Sequence, residues 1–394
     1  MNPIVWDWVN LTVRWLHLIT GIAWIGSSFY FIHLDASLRR RDGLPPGVAG
    51  ESWQVHGGGF YQMQKYMVAP ETLPKELIWF KYEAYFTWIS GFALLGVVYY
   101  LNADIYLIDR AVMALSPPVA VAISAVSLAV GWLVYDRLCK SPLGEREGWL
   151  AAVGFVLLVA AAFGYSHLFS GRAAYIQTGA LIGTIMVANV FFIIIPNQKV
   201  VVADLIAGRE PDPALGRQAK QRSLHNNYLT LPVLFTMISN HYPMTFGHRL
   251  NWLILAGVMV AGGVVRLYFN LRHEGRGNHW LLWPAAALAM APLVLLTLPR
   301  SQPADGGAVA FAQVQQIVST RCAGCHASEP TFDGFDAPPA GVIFDTPDQI
   351  QKEAQRIYAQ AVATEAMPIG NITEMTEAER QVLAAWHAAG APGE

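Results

Sequence analysis

Eight apolar runs in series constrain this chain more than any other feature of its sequence. They lie near residues 11–34, 77–101, 112–135, 149–169, 174–195, 224–240, 250–270 and 279–298. A helix needs about 20 apolar residues to cross the hydrocarbon core of a bilayer, and each run approaches or exceeds that length. The sixth run is the shortest and carries Pro232. Composition supports the membrane reading. Charged residues make up 14% of the chain and hydrophobic residues 54%, whereas a soluble domain carries roughly 25% charged residues. The formal net charge of −2 gives no basic surface for nucleic acid. The first ten residues lack a basic segment, and the apolar run after them is too long for a cleavable signal, so no signal peptide is expected.

Basic residues in the connectors predict an orientation. One set of connectors holds Arg39, Arg40, Arg41, Lys65, Lys75, Arg137, Lys140, Arg146, Lys199, Arg209, Arg217, Lys220, Arg222, Arg272 and Arg276. The alternate set holds Arg110, Arg172 and Arg249. The rich set belongs in the cytoplasm. Both termini then face the periplasm of a bacterium, with the chain multi-pass in the lipid of the inner membrane. After Leu298 the composition shifts to a Pro/Gly-rich stretch, "PRSQPADGGA". The expected organisation is a membrane domain over 1–298, a linker over 299–308 and a small periplasmic domain over 309–394.

The small domain opens with Phe311, Val314, Ile317 and Val318 at helical spacing, then "RCAGCHASEP". Cys322, Cys325 and His326 form Cys-x-x-Cys-His, the spacing of covalent haem attachment. Zinc would need two further ligands, and His387 alone is near; Cys139 is isolated. Thr346, Pro347 and Gln349 form a helix-start signature, as do Thr376 and Glu379 ahead of Val382, Leu383 and Trp386. A first helix ending in the motif and a last helix with an inward aromatic resemble class I cytochromes c. The expected fold is therefore all-α, a bundle of about eight transmembrane helices followed by a small class I cytochrome c domain with one haem c. His326 would ligate the iron on one side. On the other side stand Met367 and Met375, the methionines that follow the motif. Met367 is favoured because it precedes Pro368 in a loop, as that family's ligand commonly does.

Ionisable residues within a membrane are costly and mark function by default. Arg14, His17, His167 and His241 fall toward the outer side, and Glu83, His33, His225 and Arg266 toward the inner side. One expectation is bis-histidine haem b, pairing His17 with His241 and His33 with His225. Sixteen residues turn a helix by 160° beyond whole turns, so two such histidines on one straight helix point apart. A kink at Pro232 would relieve this on the sixth helix but not on the first. The connector "SWQVHGGGFYQMQKYMVAP" sets His56 before three glycines, which would let backbone N–H groups approach an anion. The plain alternative is a flexible connector. No Gly-x-Ser-x-Gly elbow accompanies it, which excludes a hydrolase.

The stretches "RWLHLITGIAWIGSSFYFIHLD", "VHGGGFYQMQKYMVAP", "WFKYEAYFTWISGF", "LHNNYLTLPVLFTMISNHYP" and "MPIGNITEMTEAER" resemble the bacterial integral-membrane urate oxidase (urate hydroxylase) family with a C-terminal cytochrome c domain. The resemblance implies oxidation of urate to 5-hydroxyisourate, with electrons passed to the respiratory chain through a terminal oxidase or a soluble cytochrome c. That chemistry needs a base, for which His17, His167, His241 and His56 are candidates. It also needs a cation for the urate anion, for which Arg14, Arg266 and Lys65 are candidates. An inner site would require electrons to cross about 30 Å, and an outer site would not. The alternatives are a membrane-anchored electron-transfer module, or an oxidoreductase of a quinol or another purine.

Overall fold

The computed structural model describes residues 3–70, 73–273, 279–298 and 309–393. The expected linker at 299–308 and Arg276 lie outside them. The chain is mostly helical. Its membrane part contains α1 (Pro3–Ser37), α2 (Tyr82–Leu95), α3 (Pro117–Lys140), α4 (Glu147–Ser166), α5 (Gly171–Ala188), α6 (Ile195–Ile206), α7 (Pro213–Ile238), α8 (Pro243–Phe246), α9 (Asn251–His273) and α10 (Leu282–Thr297). A π turn over Asn189–Ile194 joins α5 and α6 into one rod.

Among the described residues, five segments are long and apolar enough to cross a membrane: Ile4–Ser37, Pro117–Lys140, Glu147–Ser166, Gly171–Ile206 and Asn251–His273. The chain is thus of multi-pass membrane type. The remaining runs fall short for identifiable reasons. The α2 helix starts only at Tyr82 and ends in a π turn at Gly96–Tyr100. Polar turns carrying Arg217, Lys220 and Arg222 begin α7, which continues through the buried Pro232. The α10 helix is apolar but shorter.

The all-α expectation fails at one place. Residues 48–66 form an antiparallel hairpin of β1 (Val48–His56) and β2 (Gly59–Tyr66), with Trp53 opposite Gln62 and His56 opposite Gly59. Gly57 and Gly58 have φ of +60° and +79°, which is what a two-residue hairpin turn demands. The glycines next to His56 therefore serve a turn rather than an anion loop, and His56 is exposed at its tip. The hairpin packs on the C-terminal end of α1, where Ser37 Oγ lies 2.8 Å from Ser52 Oγ and Tyr30 donates to Gln54 at 2.9 Å.

The C-terminal part contains α11 (Phe311–Arg321), α12 (Ala323–His326), α13 (Pro347–Lys352), α14 (Ala354–Ile357) and α15 (Glu377–Ala388). Phe311, Val314, Ile317, Val318, Leu383 and Trp386 form its core, as their spacing predicts. Thr346–Gln349 and Thr376–Glu379 both close as capping boxes.

The loop after α14 seats this part on the bundle, at the end opposite the hairpin. Ala366 packs on the buried cluster that contains Tyr175, Phe246 and Leu255. Gly370 (φ +56°) faces the Ile105 and Ile108 carbonyls so closely that a Cβ would lie 2.7 Å from Ile108 O.

Candidate functional site

The Cys-x-x-Cys-His motif follows α11, and the turn α12 leaves Cys322, Cys325 and His326 half-buried. His326 Nδ1 lies 3.1 Å from the Val342 carbonyl. With its proton on Nδ1, the ring donates there and leaves Nε2 free as a ligand, the usual way an outer hydrogen bond orients a metal-binding histidine. Burial pushes the Cys322 thiol up to about 12 and the Cys325 thiol upward as well. Reactive redox pairs instead lower one thiol. His387 is engaged by Gln355 at 2.9 Å and stacked on Tyr358. Among the described residues no three His, Cys, Asp or Glu side chains gather as a metal site. Met375 is 3% exposed within the domain core. Met367 is half-buried, and its carbonyl accepts from Arg380 Nη1 at 2.9 Å. This donor set fits a c-type haem.

At the same end of the bundle the candidate residues do not converge. Arg14 is exposed and donates to Asn10 at 3.1 Å. His17 turns to α2, with Nδ1 3.1 Å from Thr87 O and 3.2 Å from Ser90 Oγ. His167 is exposed and folds back on the Phe163 carbonyl at 2.8 Å. His241 is exposed in a short 3-10 turn.

At the hairpin end the His33 ring lies 5.1 Å from that of His273, and His225 Nδ1 lies 2.7 Å from the Tyr135 hydroxyl. The 160° rotation along α1 sends His17 to α2 and His33 to α9. These placements do not fit a bis-histidine haem b.

The hairpin half does contain a cavity of about 390 Å³ between α1, α7 and the α5–α6 rod. Small-molecule pockets begin at about 300 Å³. Trp24, Phe31 and Trp79 supply flat apolar walls, and Gln198, Asn226 and Thr230 supply polar groups. Val190 and Ile194, in the π turn, also line it; such turns recur at functional sites because they re-aim side chains. Asp35 is the ionisable side chain of the lining, and Lys65 of β2 pairs with it at 2.8 Å. Lys65, a candidate anion partner, is thus committed to a carboxylate.

A polar network fixes the wall behind the cavity. Asn226 Nδ2 donates to Met186 O at 2.9 Å, and Asn226 Oδ1 accepts from Asn189 Nδ2 at 3.0 Å. Asn189 Nδ2 also donates to the Tyr135 hydroxyl at 3.1 Å, and Asn189 Oδ1 accepts from Arg222 at 3.3 Å. Arg222 closes on Asp136 at 2.8 Å. Arg266, also a candidate, is buried on α9 and donates to Asn227 and Asn270.

Asn226, Asn227, Asn189 and Asp35 were not singled out from sequence. The available signal was the adjacent pair Asn226–Asn227 inside an apolar run, where two amides need partners.

These features define a multi-pass helical membrane protein with a ligand-sized cavity in one half and a Cys-x-x-Cys-His domain docked on the other end. A family model described as urate oxidase N-terminal matches residues 3–297. The chain belongs to that family, which makes it an oxidoreductase of urate-oxidase type. The match stops before the Cys-x-x-Cys-His domain. No curated protein and no solved structure matches the chain.

Proposed function

We propose that the cavity binds urate and that the chain oxidises it to 5-hydroxyisourate, sending the electrons out through the C-terminal domain. Urate monoanion and water yield 5-hydroxyisourate, one proton and two electrons. Trp24, Phe31 and Trp79 offer rings on which a flat purine stacks. Gln198 and Asn226 offer donors and acceptors for its edges. Asp35 is placed to take the released proton, and Lys65 beside it offsets the carboxylate charge that would otherwise repel the anion at the mouth.

The observation that carries this reading is one continuous buried cluster. Met186 and Trp24, on the cavity wall, belong to it or pack on it, as do Tyr175, Phe246 and Ala366, the neighbour of Met367. Met186 and Tyr175 are separated by roughly 16 Å along α5, at 1.5 Å per residue. Packed protein therefore fills the way from the cavity to the Met367 loop.

Cys322, Cys325, His326 and Met367 would hold a c-type haem, which would supply a one-electron acceptor, so each urate would require two transfers. The loop charges favour an orientation with this domain outside the membrane, which in a bacterial inner membrane is the periplasm, where a terminal oxidase or soluble cytochrome c would be the next acceptor.

The test adds urate anaerobically to membranes containing the protein and follows the c-type haem spectrum. Reduction is expected, and an unchanged spectrum refutes the reading. Cys322→Ala with Cys325→Ala should remove covalent haem and stop urate-driven respiration.

A further inference from the structure

We propose that Arg266 and Asn227 form an anion receptor behind the α1–α7 wall of the cavity, and that it takes the negative charge of a purine monoanion. The proposal rests on the reading that the cavity holds urate.

Arg266 is 5% exposed. Its Nε donates to Asn227 Oδ1 at 3.2 Å and its Nη2 to Asn270 Oδ1 at 3.3 Å, while its guanidinium lies 4.2 Å from the centroid of the Phe29 ring. Among the described residues no carboxylate pairs with it. Amide oxygens and a π face do not cancel a full charge, and a buried cation in an apolar bundle is costly until an anion joins it. Arg222 shows the contrast within the same bundle: it is equally buried but closed on Asp136 at 2.8 Å.

A second observation points the same way. Asn227 is fully buried, and its Oδ1 accepts from both Arg266 and Asn270, the latter at 3.0 Å. Its Nδ2 has no partner. An amide with a satisfied acceptor and an empty donor is waiting for an acceptor. Arg266 Nη1 and Asn227 Nδ2 thus present free N–H groups with no acid among them. His273 Nδ1, on the same helix, is also buried and unpartnered.

The receptor adjoins the cavity through consecutive residues. Ser28 lines the cavity while Phe29 carries Arg266, and Asn226 lines it while Asn227 bonds Arg266. One residue turns a helix by about 100°, so the receptor occupies the next face round on both helices. A planar guanidinium beside an amide donor suits a planar anion whose charge is spread over oxygen and nitrogen acceptors.

The experiment measures binding of urate, and of hypoxanthine as an uncharged purine, to the full chain in nanodiscs. Arg266→Gln should weaken urate about 50-fold and hypoxanthine less than about threefold, since a neutral amide loses the charge-assisted contact alone. Asn227→Asp supplies an internal anion, so it should abolish urate binding while raising thermal stability. Equal loss of both purines in Arg266→Gln, or wild-type urate affinity in Asn227→Asp, overturns the receptor. Thr230→Trp, which fills the cavity, separates the two ideas. If it blocks urate while Arg266→Gln does not, the receptor fails and the cavity reading stands. If Arg266→Gln blocks urate while Thr230→Trp does not, urate does not occupy the cavity, and the cavity reading fails together with the receptor argued from it.

Discussion

Asp136→Asn tests the network that holds the cavity wall. Asp136 is 4% exposed; its carboxylate accepts from Arg222 Nη2 at 2.8 Å and from Lys140 Nζ at 2.7 Å. The substitution leaves Arg222, 3% exposed, with neutral partners: Asn189 Oδ1 at 3.3 Å, the backbone carbonyl of residue 136 at 3.4 Å and the Tyr135 ring at 4.9 Å. Removing one member of a buried ion pair costs about 3–5 kcal/mol, because the remaining charge stays buried. Lys140, 56% exposed at its side chain, adds at most about 1 kcal/mol. The expected loss is therefore about 3–5 kcal/mol, read from denaturant unfolding in mixed micelles. Adding Arg222→Gln removes the stranded charge and should recover at least about 2 kcal/mol of it. Arg222 also bonds Asn189, which holds Asn226 at the cavity, so urate affinity should fall when Arg222 shifts in the single variant and stay reduced in the double, which removes that bond while recovering stability. Strictly additive losses, or a loss below about 1 kcal/mol in the single variant, would refute the argument that Asp136 carries the Arg222 charge.

Asp35→Asn should lower kcat for urate about 100-fold while leaving urate affinity within about threefold, since it removes a proton acceptor and keeps the shape; steady-state kinetics against urate binding separates the two. Gly370→Ala forces a side chain into the left-handed region and toward Ile108 O. The backbone term alone costs about 1–2 kcal/mol, so the variant should slow urate-driven haem reduction with covalent haem content unchanged. Glu379 is raised by burial, but hydrogen bonds from Thr376 and Arg321 outweigh this and hold its carboxyl below the ordinary 4.5. A group depressed in the folded state stabilises above its unfolded value and loses that contribution as pH falls through the folded one. Hydrogen exchange in α15 should therefore show wild type more protected than Glu379→Gln at pH 7, with the difference closing below pH 4.5.

Much of the fold was legible because its causes are local. Thr346 and Thr376 announce their helices through partners three residues on, and both capping boxes close. Phe311, Val314, Ile317 and Val318 announce a buried face by spacing alone. Gly57–Gly58 splits two runs rich in strand formers, which is a hairpin signal, but the same three glycines after His56 read equally as an anion loop or a flexible connector. The candidate site was much less legible. His17, His33, His225 and His241 are conspicuous as types, but their partners are Ser90, His273, Tyr135 and solvent.

The sequence by itself determined the apolar rods, the capped helices of the small domain and the Cys-x-x-Cys-His motif. Each follows from hydrogen bonds and periodicity within a short segment. Only the tertiary structure decided which polar groups meet. A helix satisfies its own backbone at any rotation about its axis, so its azimuth is set by packing: Gly91 against the His17 ring, Gly179 against Thr236, and Gly262 against Pro232. Those contacts turn Arg222 to a carboxylate and Arg266 to two amides, and no spacing within α7 or α9 distinguishes one arginine from the other.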